Sequence, residues 1–193
     1  GLSISQAAQK AAPSVVEILA EGTTTTYGFF GGTYTSQSAG SGVIISDDGY
    51  IITNHHVVED GESFTITTYD GTEYEASLVG SDAKSDIAVL KVEAEDLTPA
   101  VLGDSSTVQT GDTAIVIGNP LGTLGGTVTD GIISATSRTI TVNDQAMELL
   151  QTNAQINSGN SGGGLFDGNG NLIGIVNAKD SGTTSTGTTI EGL

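Results

Sequence analysis

No cysteine occurs among the 193 residues, which excludes disulfides, thiolate metal sites and a cysteine nucleophile. Basic residues are also scarce. Five Lys and Arg stand against 23 Asp and Glu, so the formal net charge is −18. Phosphate backbones repel such a chain, which excludes nucleic acid as a partner and disfavours anionic membrane surfaces. No run of 18 apolar residues is present to span a bilayer. The start, Gly1-Leu2-Ser3, lacks both an initiating Met and a basic leader and reads as a trimmed boundary. Only 3 prolines and 36% hydrophobic residues occur, but glycine supplies 28 positions. Without a G-X-Y period, that glycine content means many tight turns.

The apolar runs that do occur are short and β-branched. Val15-Val16-Glu17-Ile18-Leu19, Ile51-Ile52-Thr53, Ile87-Ala88-Val89-Leu90 and Ala114-Ile115-Val116-Ile117 are examples. Strands of this length between turn signals predict an antiparallel sandwich or barrel. Asp47-Asp48-Gly49, Asp70-Gly71 and Asp167-Gly168-Asn169-Gly170 read as hairpin turns. One short helix is expected over residues 5–12, capped by Ser3 or Ser5 and stopped by Pro13. Residues 22–41 and 180–189, rich in Gly, Thr and Ser, read as long surface loops, and 93–111 as a connector between halves.

Three local features carry chemistry. The only two histidines, His55 and His56, follow a buried-strand pattern in Thr53-Asn54-His55-His56-Val57-Val58. Asp86 opens the apolar strand Ile87-Ala88-Val89-Leu90-Lys91. Ser161 stands among glycines in Gly159-Asn160-Ser161-Gly162-Gly163. Each alone has a bland explanation: a strand-end pair, a turn residue, a Gly-rich turn. Together they supply a nucleophile, a base to take its proton and an acid to orient the base. The order His56, Asp86, Ser161 matches that of the chymotrypsin-type β-barrel hydrolases. Asp167-Gly168-Asn169-Gly170-Asn171 begins like a calcium loop, but Leu172 and Ala178 occupy the positions that would need Gly and Glu. No metal and no cofactor is expected.

The sequence resembles the HtrA (Deg) family of trypsin-fold serine proteases. The resemblance rests on Thr53 to Val58, Ser85 to Lys91, Gly118-Asn119-Pro120-Leu121-Gly122 and Gln151 to Gly163. It implies an all-β fold of two six-stranded antiparallel β-barrels in one domain, about 14–95 and 110–193, with the last strand expected beyond Leu193. It selects His56 over His55 and implies a triad of His56, Asp86 and Ser161. The oxyanion hole falls on Gly159-Asn160-Ser161, with the N–H groups of Gly159 and Ser161 as donors. Gln155, Ile156 and Asn157 line the substrate pocket. Gln155 stands where trypsin carries its carboxylate, so small aliphatic P1 residues are expected. Neutral Asn160 argues against activation by an inserted N-terminal amine, and Arg138, the sole arginine, is a candidate activation sensor.

Two positions depart from the family pattern: Gly164 replaces a Pro and Asn153 an Asp. The family also implies cleavage of unfolded polypeptides in an extracytoplasmic space, a C-terminal peptide-binding PDZ domain and a membrane anchor in the full-length protein. Homotrimers are implied too, with Tyr27, Phe29 and Phe30 as candidate contacts. The alternative reading is a resting, chaperone-like peptide-binding module whose oxyanion hole is unformed.

Overall fold

The computed structural model describes residues 1–119, 126–142, 145–178 and 185–188. Two closed, six-stranded antiparallel barrels account for nearly all regular structure. The first contains β1 (Val15–Thr26), β2 (Gly32–Ile44), β3 (Tyr50–Thr53), β4 (Ser63–Thr67), β5 (Glu73–Asp82) and β6 (Ile87–Val92). Its strands neighbour one another in the order β1-β2-β3-β6-β5-β4. The second contains β7 (Thr113–Gly118), β8 (Thr127–Val142), β9 (Gln145–Thr152), β10 (Gly164–Phe166), β11 (Leu172–Asn177) and β12 (Ser185–Thr188). Its order is β10-β11-β12-β9-β8-β7.

Alternation explains why these segments are strands. Along β6 every second side chain, Ala88, Leu90 and Val92, enters the core. Ile18, Ile51, Ile66 and Leu90 fill the first barrel, and Val116, Ile133, Leu165 and Val176 the second. A third cluster seals the seam between them. There Val15, Val43 and Ile52 of one barrel meet Ile115, Ile117 and Phe166 of the other. Fully burying a side chain such as Phe166 contributes about 1.5–3 kcal/mol. The seam therefore holds the halves in a fixed relation.

Helix α1 (Ile4–Ala11) begins with a capping box in which Ser3 and Gln6 satisfy each other's backbone N–H. Ser3, not Ser5, is the cap, and Pro13 sits in the 3-10 turn that follows. Ala7 and Ala11 add to the seam cluster. Lys10 Nζ donates to Asn169 O at 2.9 Å and to Asn171 Oδ1 at 2.7 Å, tying α1 to the β10–β11 hairpin.

Three expectations are corrected. Residues 22–41 are not a loop: β1 and β2 pair in unbroken register from Val15↔Val43 to Thr26↔Gly32. Threonine is a good strand former, and a Thr-rich stretch with a Gly-rich partner lacks only apolar alternation. Only the tip turns, leaving Tyr27, Phe29 and Phe30 almost wholly exposed. Second, the place expected to want a final strand is taken by β12, which pairs with β11 and β9. Part of the segment read as loop over 180–189 is thus a strand; 180–184, 189 and 190–193 lie outside the described residues. Third, the run Gly131-Ile132-Ile133-Ser134 reads in the sequence as a short strand with Arg138 after it, but the strand does not stop there. Arg138 lies within the long, bulged β8, opposite Leu149. Pro120 to Gly122 of the quoted motif also lie outside the described residues.

One carboxylate is placed at a disadvantage. Glu17 on β1 and Glu73 on β5 both lie across from Thr67 of the intervening β4. Partial burial, and then the charge of Glu73, raise the Glu17 pKa above the usual carboxylate value. A group held above its unfolded pKa disfavours the fold once ionised, and this disadvantage vanishes as pH falls below the unfolded value. Glu17→Gln is therefore expected to raise the melting temperature at pH 7. The gain should fade as acid protonates the wild-type residue. Scanning calorimetry of both proteins from pH 7 to pH 4 checks this, and an equal difference at both ends would refute it.

Candidate active site

The candidate base, His56, sits on a single helical turn. Strand β3 ends at Thr53, Asn54 takes the N-cap position, and α2 (His55–Val58) follows at once. Val57 and Val58 are 3% and 1% exposed, so they pin the turn to the first barrel and aim His56 at the seam. His55 faces elsewhere, its Nε2 3.5 Å from Glu59 Oε2.

Asp86 performs several tasks at once. Its Oδ2 lies 2.7 Å from His56 Nδ1, and its Oδ1 accepts the His56 backbone N–H at 2.8 Å. Its carbonyl accepts the His55 N–H at 3.1 Å. The carboxylate thus both caps α2 and orients the ring. It does so from φ 56°, a left-handed conformation that Asp tolerates better than most residues. Strain at such a residue persists only where its surroundings hold it, as these hydrogen bonds do.

Ser161 comes from the second barrel. A 3-10 turn (Ser158–Asn160) delivers it between β9 and β10. Its Oγ lies 2.7 Å from His56 Nε2. Gly162 follows at φ 85°, and a Cβ there would fall 2.1 Å from Ser41 O. Glycine is the residue that fits this crossing. The loop is further held by Ser41 on β2, whose N–H donates to Ser161 O and whose hydroxyl donates to Gly159 O, both at 2.9 Å.

The remaining expected residues fall nearby. Gln155 and Asn157 are exposed, and Ile156 packs against the second core. Gln155 O accepts from Thr129 Oγ1 at 2.8 Å. The Gly159 N–H donates to Asn157 Oδ1 at 3.1 Å, and the Asn160 N–H to Asn157 O at 3.0 Å. Arg138 is placed by its backbone on β8. Asp167 Oδ1 accepts the N–H groups of Asn169 and Asn171, so this Asp builds the β10–β11 turn. Among the described residues no group of three or more His, Asp or Glu is placed to hold a metal ion. No helix there is long and apolar enough to cross a membrane.

Three participants escaped the sequence reading. Asn177, at the end of β11, donates Nδ2 to Asp86 Oδ2 at 3.1 Å. Asn54 donates Nδ2 to Ser161 Oγ at 2.9 Å. Ser41 ties the Ser161 loop to the first barrel, as described above. Asn54 lies within the histidine motif itself, a signal that could have singled it out. Asn177 and Ser41 carry none, because their partners lie far away in the chain.

A double β-barrel whose seam joins a serine hydroxyl, an imidazole and a carboxylate in one hydrogen-bonded file defines the trypsin-fold serine hydrolases as a class. The chain belongs to the trypsin-like peptidase domain family, whose model matches residues 40–175. Its similarity within that family is to HtrA (Deg) proteins. It is 49% identical over 144 residues to a probable periplasmic serine endoprotease, DegP-like, of Chlamydia trachomatis, covering 75% of this chain and 29% of the relative. A protein of the same name in Halomonas elongata is 50% identical over 139 residues, covering 72% and 29%. Among solved structures, the HtrA-type protease AlgW with a decapeptide matches with TM-score 0.84 and 36% identity, over 98% of this chain and 65% of that one. AlgW with a tripeptide matches with TM-score 0.82 and 40% identity, over 98% and 60%. The chain thus spans less than a third of the length of these curated relatives.

Proposed function

We propose that the two barrels form one protease domain that hydrolyses peptide bonds in unfolded polypeptides through Ser161, His56 and Asp86. The observation that carries this is the continuous file from Ser161 Oγ to His56 Nε2 and from His56 Nδ1 to Asp86 Oδ2, 2.7 Å at each step. Ser161 attacks the scissile carbonyl while His56 takes its proton, then returns it to the leaving amine. Asp86 holds the productive tautomer and stabilises the imidazolium. Backbone N–H groups of Gly159 and Ser161, in the Gly159-Asn160-Ser161 turn, receive the oxyanion. Gln155, Ile156 and Asn157 shape a pocket without a carboxylate, which suits small aliphatic P1 residues. The relatives named periplasmic support an extracytoplasmic place of work; protein quality control there is what the family resemblance implies. Trimerisation through the aromatic hairpin tip, a PDZ domain in the parent protein and a sensing role for Arg138 belong to the same reading.

A fluorophosphonate probe is expected to label the domain at Ser161, and Ser161→Ala to abolish the label. Intact-mass spectrometry reads both. A second reading, a resting peptide-binding module, is favoured by one contact: the Gly159 N–H is already engaged by Asn157 Oδ1. Failure of wild-type protein to label, even with unfolded protein added, would support that reading against the first.

A further inference from the structure

Asn54 caps no helix, although it stands at an N-cap position. Asparagine there ordinarily accepts a backbone N–H from the first turn. Here Asp86 Oδ1 takes the His56 N–H, which leaves the Asn54 side chain available. That side chain is buried, with the residue 1% exposed, and makes two bonds through one atom. Its Nδ2 donates to Val176 O at 2.8 Å and to Ser161 Oγ at 2.9 Å. The Val176 carbonyl can only accept, so it fixes which end of the amide faces inward. Asn54 Oδ1 is left buried without a hydrogen bond. Native structures rarely keep such an atom without a reason, and functional sites are where they do. The amide is held for what its NH₂ group does.

We infer that Asn54 is a positioning residue for the nucleophile: by donating to Ser161 Oγ it directs the hydroxyl hydrogen onto His56 Nε2. The inference rests on the proposed role of Ser161. A serine oxygen offers one hydrogen and two lone pairs. One lone pair is filled by Asn54 Nδ2–H. The acceptor close by for the hydrogen is His56 Nε2 at 2.7 Å. The hydroxyl is thereby set in the orientation that attack requires. As Oγ forms its bond to the carbonyl carbon, its proton passes to Nε2 and the carbonyl π pair moves to oxygen. The Asn54 donor also steadies the negative charge that builds on Oγ while the proton is in transit.

The test compares wild type, Asn54→Ala and the near-isosteric Asn54→Asp. Capture by a fluorophosphonate is followed as a second-order rate constant across pH, with thermal melting alongside. Asn54→Ala is expected to slow capture about tenfold, the scale of one net hydrogen bond. Asn54→Asp replaces a donor by a carboxylate and should slow it more, on the order of a hundredfold, by drawing the hydroxyl hydrogen to itself. The added negative charge favours the imidazolium, so the midpoint of the Asn54→Asp pH profile moves upward. That shift comes from charge alone; a merely structural role would instead lower the melting temperature and leave capture by the folded Asn54→Ala protein, and its His56 Nε2 ¹⁵N resonance, in place. Capture of Asn54→Ala within twofold of wild type, or a loss that tracks the fall in melting temperature, overturns the inference. If wild type itself resists capture, the proposed function fails instead, and imidazole ¹⁵N NMR of the resting protein decides this point. The His56 Nε2 resonance should shift when Asn54→Ala releases the hydroxyl, and a resonance that stays in place overturns the inference.

Discussion

Replacing His56 by alanine is expected to lower kcat on the order of 10⁶-fold, the loss seen when a comparable triad loses its base. His55→Ala should leave activity within a few-fold. The contrast follows from geometry. His56 Nε2 reaches Ser161 Oγ, whereas the His55 ring is turned toward Glu59. His55 contributes to the site only through its backbone N–H, which bonds Asp86 O and survives the substitution. Without His56, Oγ would have to attack as an unassisted alcohol whose pKa lies far above neutrality. Hydrolysis of a quenched fluorescent peptide with an aliphatic P1 residue measures both variants. Equal losses in the two, or a His56→Ala enzyme within tenfold of wild type, would move the base elsewhere.

The second large effect belongs to Asp86→Asn, expected to reduce kcat about 10⁴-fold with little loss of stability. Asparagine tolerates the left-handed backbone that position 86 adopts, so the change leaves the turn intact. One amide oxygen can still accept the His56 backbone N–H. The amide nitrogen then faces both His56 Nδ1 and Asn177 Nδ2, which donate to Asp86 Oδ2 in the productive tautomer. A donor meeting a donor drives the imidazole proton to Nε2. There it blocks acceptance from Ser161. Turnover assays paired with thermal melts separate this from unfolding. A loss smaller than tenfold, or one tracking a large fall in melting temperature, would contradict the assignment.

How much of this could be read beforehand depended on whether partners were neighbours in the chain. The strands were legible because alternation is local: Ala88, Leu90 and Val92 declare their inward face within six residues. The turns at Asp70-Gly71 and Asp167–Gly170 were legible for the same reason, with Asp70 Oδ1 accepting the Thr72 N–H two residues on. The hairpin tip was misread because its strands carry threonine and glycine where an apolar alternation was sought, and pairing rather than core burial makes them strands. At the site, His56, Asp86 and Ser161 announced themselves by residue type and order. The supports did not. Asn177 and Ser41 are ordinary polar residues whose meaning comes from partners brought close by barrel closure. Nothing in the local sequence encodes that the 3-10 turn would commit the Gly159 N–H to Asn157.

The division of the site across the seam has a consequence for biosynthesis. His56 and Asp86 belong to the first barrel, while Ser161 with its Gly162 crossing belongs to the second. A chain emerging from its amino end carries His56 and Asp86 long before Ser161 exists. Each barrel by itself holds only part of the file. If Ser161 serves as proposed, hydrolytic power arrives only when the second half has docked, and a nascent or broken chain cannot attack its neighbours. On that reading, the hazard of making a protease is postponed to the last stage of its own assembly.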